Sequence, residues 1–305
     1  MGKRRERGRA NGAVNPPSNG HALENTTILL PHGVISGPKT TWVRTAKLRQ
    51  LVGYDEQALY EIPSDLPLHS RVTSLLERLV TFADTDEEET RAILKQISIG
   101  DRVALLLKAR ELILGNSIKC TITCASCSGN ISLDLSVLDL LQKEYCSSDP
   151  KPSYDLEVDG FSLQIRPLTA CDQDILVDNI NCSQDVLMEM LVRSCIVHSD
   201  PHLPASSLPD SLIGAVSSEL DEIDPLSEIV LNITCQECAH TFLAVFPVES
   251  YVLRELGAHG GQLEQEIHWL AFHYHWSERE ILSLSAKKRR RYVELINETL
   301  AGEHK

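Results

Sequence analysis

Four cysteines stand in two C-x-x-C pairs: Cys124 with Cys127, and Cys235 with Cys238. Each pair follows Ile-Thr, and apolar and polar residues alternate on both sides of it, which predicts two β-hairpins. Two such hairpins facing each other predict a zinc ribbon with four thiolate ligands. Because four thiolates close the coordination sphere, we expect a structural Zn²⁺ and no catalytic metal.

Alternatives remain for individual ligands. A redox pair would open a helix, whose N-terminus lowers the thiol pKa, but strands are predicted after both pairs. Cys120 and His240 lie beside the pairs, and either could replace a ligand. The remaining cysteines have no partner at motif spacing and are interpreted as small apolar residues: Cys146, Cys171, Cys182 and Cys195.

The charge distribution is uneven. The net charge is −14, yet residues 1–10 carry five basic side chains and one acidic one. The acidic remainder argues against a general nucleic-acid binder, which needs clustered Lys and Arg. Residues 1–22 are predicted to be a disordered basic tail that could contact an anionic partner. Without an apolar leader or a long apolar run, the chain is expected to be cytoplasmic, with reduced cysteines and no membrane span.

Periodicity predicts an α+β fold. Helices are expected from Ser70, over 86–97, and after Asp101 as N-cap, with Gly115 as the stop. Asp159-Gly160 predicts a hairpin. Further helices are expected after Thr169, after Ser183 and over 209–222. The predicted regions are a mainly helical part (23–117), a zinc-ribbon-like β region (118–248) with a hairpin and helices inserted at about 145–225, and a C-terminal helical module (249–305).

The C-terminal segment is rich in aromatic residues. Helical faces and a Ser277–Glu280 capping box predict a compact module over 262–300. Trp and Tyr dominate binding hot spots, so we expect this module to dock onto a partner. Alternatively, the aromatic residues build the module's own core. Docking requires some of them to stay exposed. The candidate partner-binding residues are Trp269, Phe272, His273, Trp276 and Tyr292.

No pattern indicates catalysis. His268, His273 and His275 do not form H-E-x-x-H, and Gly-rich phosphate loops and G-x-S-x-G are lacking. The basic run Lys287–Arg291 could indicate DNA binding, but a solvated face or protein docking patch is the more common use of such a run. We therefore predict that the chain is not an enzyme and has no small-molecule substrate.

Several segments together resemble a known family. They are LPHG (30–33), LRQLVGYDEQAL (48–59), ISIGDRVALLLKARELILG (97–115), IRPLTACDQDIL (165–176), FPVESYVLREL (246–256) and the aromatic ending over 267–296. Their order is similar to the T-even-phage-type baseplate hub proteins of contractile tails and phage-derived injection systems. The pairs lack the Pro and the immediate Gly frequent in zinc knuckles.

This resemblance implies a structural or assembly role in a baseplate, with other baseplate or hub proteins as partners and possible incorporation into a tail-like particle. Two rival interpretations remain open. One is a zinc-ribbon adaptor that binds nucleic acid through the basic tail and the Lys287–Arg291 cluster. The other is an enzyme with an unrecognised site, which would show a deep pocket with converging polar groups.

Overall fold

The computed structural model describes residues 26–36, 41–142 and 151–303, so the predicted tail (1–22) and Cys146 lie outside the described residues. The fold is mixed helix and sheet, which confirms the predicted α+β class. Among the described helices, none combines the length and apolar character that crossing a membrane requires.

The N-terminal part contains an antiparallel sheet that the sequence analysis did not predict. Its strands, in the order β1-β2-β3, are β1 (Thr26–Ser36), β2 (Thr41–Leu48) and β3 (Val80–Phe82). Pro31–Gly33, whose Pro and Gly are typical of a turn, lies inside β1, where the register shifts between Leu29 and Val34 and Gly33 adopts φ 66°. A bulge therefore uses the residues that otherwise indicate a turn.

Four helices accompany this sheet: α1 (Gly53–Tyr60), α2 (Leu68–Leu79), α3 (Glu87–Gln96) and α4 (Ile99–Leu114). The three helices predicted here are confirmed as α2, α3 and α4, and Gly115 ends α4 with φ 87°. The predicted N-cap Asp101 is wrong. Ser98 caps α4, accepting a hydrogen bond from the Asp101 amide at 3.0 Å. The Asp101 carboxylate instead accepts the amides of His32 and Gly33, and so ties β1 to α4.

The cysteine pairs join two separate hairpins. One consists of β4 (Ser117–Thr123) and β5 (Asn130–Ser136), and the other of β9 (Ile229–Thr234) and β10 (Thr241–Phe246). Between them lie α5 (Val137–Gln142) and an insertion made of β6 (Tyr154–Val158), β7 (Phe161–Ile165), α6 (Ala170–Asp178), α7 (Gln184–Cys195), β8 (Ile196–Asp200), α8 (Asp210–Ile223) and a 3-10 turn (Pro225–Ser227).

The insertion has its own small core. Strands β6, β7 and β8 form an antiparallel sheet, with the predicted Asp159-Gly160 turn between β6 and β7. Thr169 and Ser183 occupy the predicted N-cap positions of α6 and α7. Leu163 and Ile165 pack with apolar residues of α7 and α8, separately from the main core. The insertion is thus a packed unit.

The C-terminal part is α9 (Val248–Tyr274), α10 (Glu278–Leu282) and α11 (Ala286–Glu303). The first half of α9 lies in the main core through Val252 and Leu256, whereas Leu270 in its second half packs with Ile281 and Ile296. One 27-residue helix therefore connects the body to the predicted C-terminal module.

Arg102 is fully buried and ties three helices of the main core together. Its guanidinium donates to the carbonyl oxygens of His69 and Leu94, both at 2.9 Å, and to Thr73 Oγ1 at 3.1 Å. Glu249 of α9 lies 3.9 Å from Arg102 Nε. A buried cation is stable here because carbonyl and hydroxyl oxygens replace its water.

Candidate metal centre

The two cysteine turns have the same backbone bonding. In the first, Ser128 donates its amide to the Cys124 carbonyl at 3.0 Å, and Cys124 donates to the Gly129 carbonyl at 2.8 Å. In the second, Ala239 donates to the Cys235 carbonyl and Cys235 to the His240 carbonyl, both at 2.9 Å. The repeated Ile-Thr-Cys pattern thus encodes a repeated turn.

The four sulfur atoms converge. Cys124 Sγ lies 3.7 Å from Cys238 Sγ, and Cys127 Sγ lies 3.7 Å from Cys235 Sγ. All four lie within 4.8 Å of one another. A tetrahedral zinc with Zn–S bonds of about 2.3 Å places its sulfurs about 3.8 Å apart, so the spacing fits such an ion. Four thiolates are also the donor set that zinc and iron–sulfur sites share.

Burial is distributed symmetrically around the site. The first cysteine of each pair is buried and the second is exposed. Ile131 and Ile233 pack beside the buried cysteines, with half-buried Leu133 and Phe242 around them. The hairpins therefore meet through a small apolar layer with the sulfurs at one end.

The thiols have different proton affinities in the metal-free chain. Amide hydrogen bonds from Cys127 and Ser126 lower the pKa of Cys124 to about 7. At Cys127 the amide of Gly129 favours the thiolate, but partial desolvation and the neighbouring thiols of Cys238, Cys124 and Cys235 outweigh it and raise the pKa to about 12. Because metal ligation requires thiolates, binding would release protons, with Cys124 the most readily ionised of this pair.

Ser128 and Ala239 directly follow the second cysteine of each pair, at φ 59° and 57°. This is the left-handed region that glycine adopts at little cost and other residues rarely adopt. The absence of the usual glycine therefore does not prevent the knuckle turn, but both turns carry local backbone strain.

Glu237 is a neighbour of the site that sequence reasoning missed. Its Oε2 lies 3.9 Å from Cys127 Sγ. Its carboxylate also occupies the space into which a side chain on Gly129 would project. Gly129 thus makes room for Glu237, and only the position of Glu237 inside the second C-x-x-C could have signalled this contact.

The alternative ligands lie elsewhere. Cys120 is half-buried against the main core, and the His240 ring stacks on Phe242 with centroids 5.8 Å apart. Neither joins the four-cysteine cluster. The small-apolar interpretation fits Cys195, which is buried in the insertion core. It is wrong for Cys171 and Cys182, which are exposed because they lie on the solvent side of α6 and in the loop after it.

The structure divides the five candidate partner-binding residues into two groups. Trp269 and Phe272 are 41% and 68% exposed. Both rings contact His273, with centroids 5.1 Å apart in each case. Trp276 and Tyr292 instead pack with Tyr274 inside the module's own core. The outward group, Trp269, Phe272 and His273, is called the α9 aromatic patch below.

The Lys287–Arg291 run does not form one basic surface. Arg289 is 1% exposed and donates to Glu266 at 2.8 Å and to Glu56 at 2.6 Å. Arg291 lies near Glu294 and Glu298. The central cation of the run therefore joins α11 to α1 and α9 and is not available to a phosphate backbone.

A buried polar cluster links β1, α4 and the insertion. His32 Nε2 lies 3.4 Å from Asp224 Oδ1, and its Nδ1 lies 3.2 Å from the Tyr154 hydroxyl. Burial raises the pKa of Asp101 to about 7. Burial lowers the pKa of His32, but the hydrogen bond and charge of Asp224 outweigh this and raise it. The cluster holds together three parts of the chain that are distant in sequence.

A cavity of about 390 Å³ lies beside this cluster, lined by His32, Ser98, Thr169 and Cys171 among others. Both ring nitrogens of His32 already have partners. Ser98 Oγ caps α4, and Thr169 Oγ1 donates to Asp172. These hydrogen bonds hold the fold and do not pair a nucleophile with a base.

The chain was compared with known proteins. A family model described as T4 bacteriophage base plate protein matches residues 36–251, which include both cysteine hairpins and the whole insertion. Neither the curated proteins nor the solved structures gave a match.

Proposed function

The chain belongs to the T4 bacteriophage base plate protein family, and from this premise we propose that it is a structural or assembly component of the baseplate of a contractile tail or injection system. The match to this family over residues 36–251 is the observation that carries the proposal. The proposed setting is the cytoplasm of the producing cell and the tail-like particle assembled there.

The four-cysteine cluster supports a structural Zn²⁺ held by Cys124, Cys127, Cys235 and Cys238. Such an ion would join two hairpins whose ligands stand far apart in the sequence. The entropy of closing a long loop grows only logarithmically with its length, so the insertion costs little extra. Structural zinc sites contribute about 10–16 kcal/mol of apparent binding energy, which is available to folding.

We propose a role without catalysis. A zinc with four thiolates has no open position for a substrate or water. The polar groups around the cavity beside His32 are engaged in helix caps and in the His32 cluster. The proposed partners are other baseplate proteins, and the α9 aromatic patch is a candidate contact surface for them because Trp269 and Phe272 remain exposed.

The nucleic-acid adaptor is the weaker alternative. Arg289 is buried between two glutamates, and Arg291 is near two more. A phosphate backbone would have to compete with these carboxylates. The basic tail, the other half of that hypothesis, lies outside the described residues.

The test is a deletion of the gene in the phage or phage-derived cluster that encodes the chain, followed by electron microscopy and mass spectrometry of purified particles. We expect particles with absent or incomplete baseplates, restored by the wild-type gene. Cys127→Ser combined with Cys238→Ser should restore poorly, whereas Cys171→Ser, at an exposed cysteine outside the cluster, should restore fully. Normal baseplates after deletion would reject the proposal.

A further inference from the structure

The two cysteine hairpins carry equivalent side chains on the faces that pack against each other and different side chains on their solvent faces. Aligning the hairpins on their cysteines places Ile122 with Ile233 and Ile131 with Phe242, and all four face the shared apolar layer. The outer positions of the first hairpin are all polar: Lys119, Thr121, Thr123, Asn130, Ser132 and Asp134. The equivalent positions of the second hairpin are Val230, Asn232, Thr234, Thr241, Leu243 and Val245.

Three apolar side chains therefore lie on the solvent side of the second hairpin. Val230, Leu243 and Val245 are 47%, 71% and 52% exposed. Val230 and Val245 are direct cross-strand partners, and Leu243 is the next outward residue along β10. The equivalents in the first hairpin are Lys119, Ser132 and Asp134, so the scaffold itself does not require apolar residues there.

A groove of about 250 Å³ begins at the end of this face. Val245 lines it, together with apolar side chains such as Leu68, Ile99 and Leu226. Leu68 is itself 39% exposed. In the part of the chain that the structure describes, β9 and β10 form a two-stranded sheet, so no third strand extends this face.

The charges along the groove have one sign. Glu228 and Glu249 line it, and none of its described lining residues is Lys, Arg or His. Glu228 is exposed, whereas Glu249 Oε1 is buried and lies 3.9 Å from Arg102 Nε, so its charge already faces a cation. The groove thus combines apolar walls with one exposed carboxylate, that of Glu228.

We propose that the outer face of β9–β10 and this groove bind an extended segment of another protein, with apolar side chains on Val230, Leu243 and Val245 and a Lys or Arg beside Glu228. The identity of the partner as a baseplate protein rests on the proposed function. An extended segment suits this face because successive side chains alternate in direction, so every second residue can face Val230, Leu243 and Val245.

Charge complementarity favours this occupant over a second copy of the chain. The chain has 43 acidic and 29 basic side chains, and a symmetric contact would bring two carboxylate-lined grooves close together. Like charges placed opposite each other suppress association, whereas a cationic segment would be attracted.

The test uses a photo-crosslinking amino acid in the full chain, in cells assembling the particle. It is placed at Leu243 or, as the matched control, at Ser132 of the first hairpin. We expect Leu243 to crosslink to another baseplate protein at least about tenfold more than Ser132 does. The crosslinked peptide should be apolar and carry Lys or Arg within about three residues, since an extended chain rises about 3.3 Å per residue.

A second arm adds Glu228→Lys, an exposed change that should leave folding intact. It should lower the Leu243 crosslink about tenfold, as expected when an attractive charge becomes repulsive. A crosslink to a second copy, to a segment without a cation, or at the level of Ser132 would overturn the inference. If deletion of the gene still abolishes baseplates, the proposed function survives such a result, so the two failures can be distinguished.

Discussion

The β4–β5 and β9–β10 hairpins contain the same turn twice, at opposite sides of the four-cysteine cluster. Both carry Ile-Thr-Cys, both close with paired amide–carbonyl bonds, and both place a non-glycine residue in the left-handed region. Their outer faces differ, with only polar side chains on the first and an apolar cluster on the second. The inner faces carry the clustered cysteines and the common apolar layer, so their side chains match, whereas the packing of the two hairpins does not constrain the outer faces.

Both hairpins contact the main core at the ends opposite their cysteines. Cys120, Leu135, Ile229 and Leu231 pack partly against the main core. The Tyr251 hydroxyl of α9 donates to the Lys119 carbonyl at 3.1 Å. Both hairpins are therefore anchored at the ends far from the cysteines. The sulfur end has only a small apolar layer, so the metal should account for most of the stability there.

The largest expected effect is loss of the metal. Cys235→Ser should remove zinc and lower the free energy of unfolding by several kcal/mol, because about 10–16 kcal/mol of binding energy couples to folding at such sites. The measurements are metal analysis of the purified reduced protein and chemical denaturation with and without a chelator. Cys120→Ser is the matched control and should keep the metal. Folded wild-type protein without zinc would contradict the assignment, and so would iron in its place.

A smaller difference is expected between the inner faces. Ile233 is 5% exposed, whereas its equivalent Ile122 is only half-buried. Ile233→Ala should cost about 3 kcal/mol of unfolding free energy, and Ile122→Ala about half of that, since the cost follows the buried volume lost. Equal losses in urea denaturation of the zinc-loaded protein would show that the hairpins contribute equally to the layer.

Glycine at the two strained positions should change the free energy of unfolding in the opposite direction and stabilise the protein. Ser128→Gly and Ala239→Gly should each raise the free energy of unfolding by about 1 kcal/mol, because glycine tolerates φ near 60° without a Cβ clash. Ala244→Gly in β10 is the control and should lower it by about 0.5–1 kcal/mol, since glycine weakens a strand. If neither turn variant is stabilised, the turns carry no appreciable strain.

The four-cysteine cluster could be predicted from the sequence because the pattern that indicates it is local. Two C-x-x-C motifs and their alternating flanks define the ligands and the hairpins without long-range knowledge. The helices could equally be predicted from periodicity and from caps such as Thr169, and the Asp159-Gly160 turn could be predicted from its sequence. The roles of Asp101 and Arg289 were not accessible, because each depends on partners distant in sequence: His32 and Gly33 for the first, Glu56 and Glu266 for the second.

The N-terminal sheet was missed for a related reason. Pro31–Gly33 is a turn signal, but tertiary pairing with β2 turns it into a bulge within a long strand. Local sequence patterns also could not predict which face of each hairpin stays exposed. Alternation indicates which residues share a face, but it does not show which face a neighbour covers.

The smallest expected effect on stability for each substituted residue comes from exchanging the outer faces. Val230→Lys, Leu243→Ser and Val245→Asp together give the second hairpin the outer residues of the first. All three side chains are exposed. Surface substitutions away from special contacts usually change stability by about 0.5 kcal/mol or less, so the triple variant should lose no more than about 1.5 kcal/mol and keep its zinc. The partner contact should nevertheless be lost, because the apolar face is gone and Asp at position 245 adds a third carboxylate at the groove.

The reciprocal change, Ser132→Leu in the first hairpin, should be equally mild and should not create a contact, since that hairpin lacks the groove. Thermal denaturation, metal content and baseplate assembly together separate the two roles. A folded, zinc-loaded triple variant that still assembles normally would show that the apolar outer face is dispensable. A variant that loses zinc would show that the outer face supports the metal centre after all.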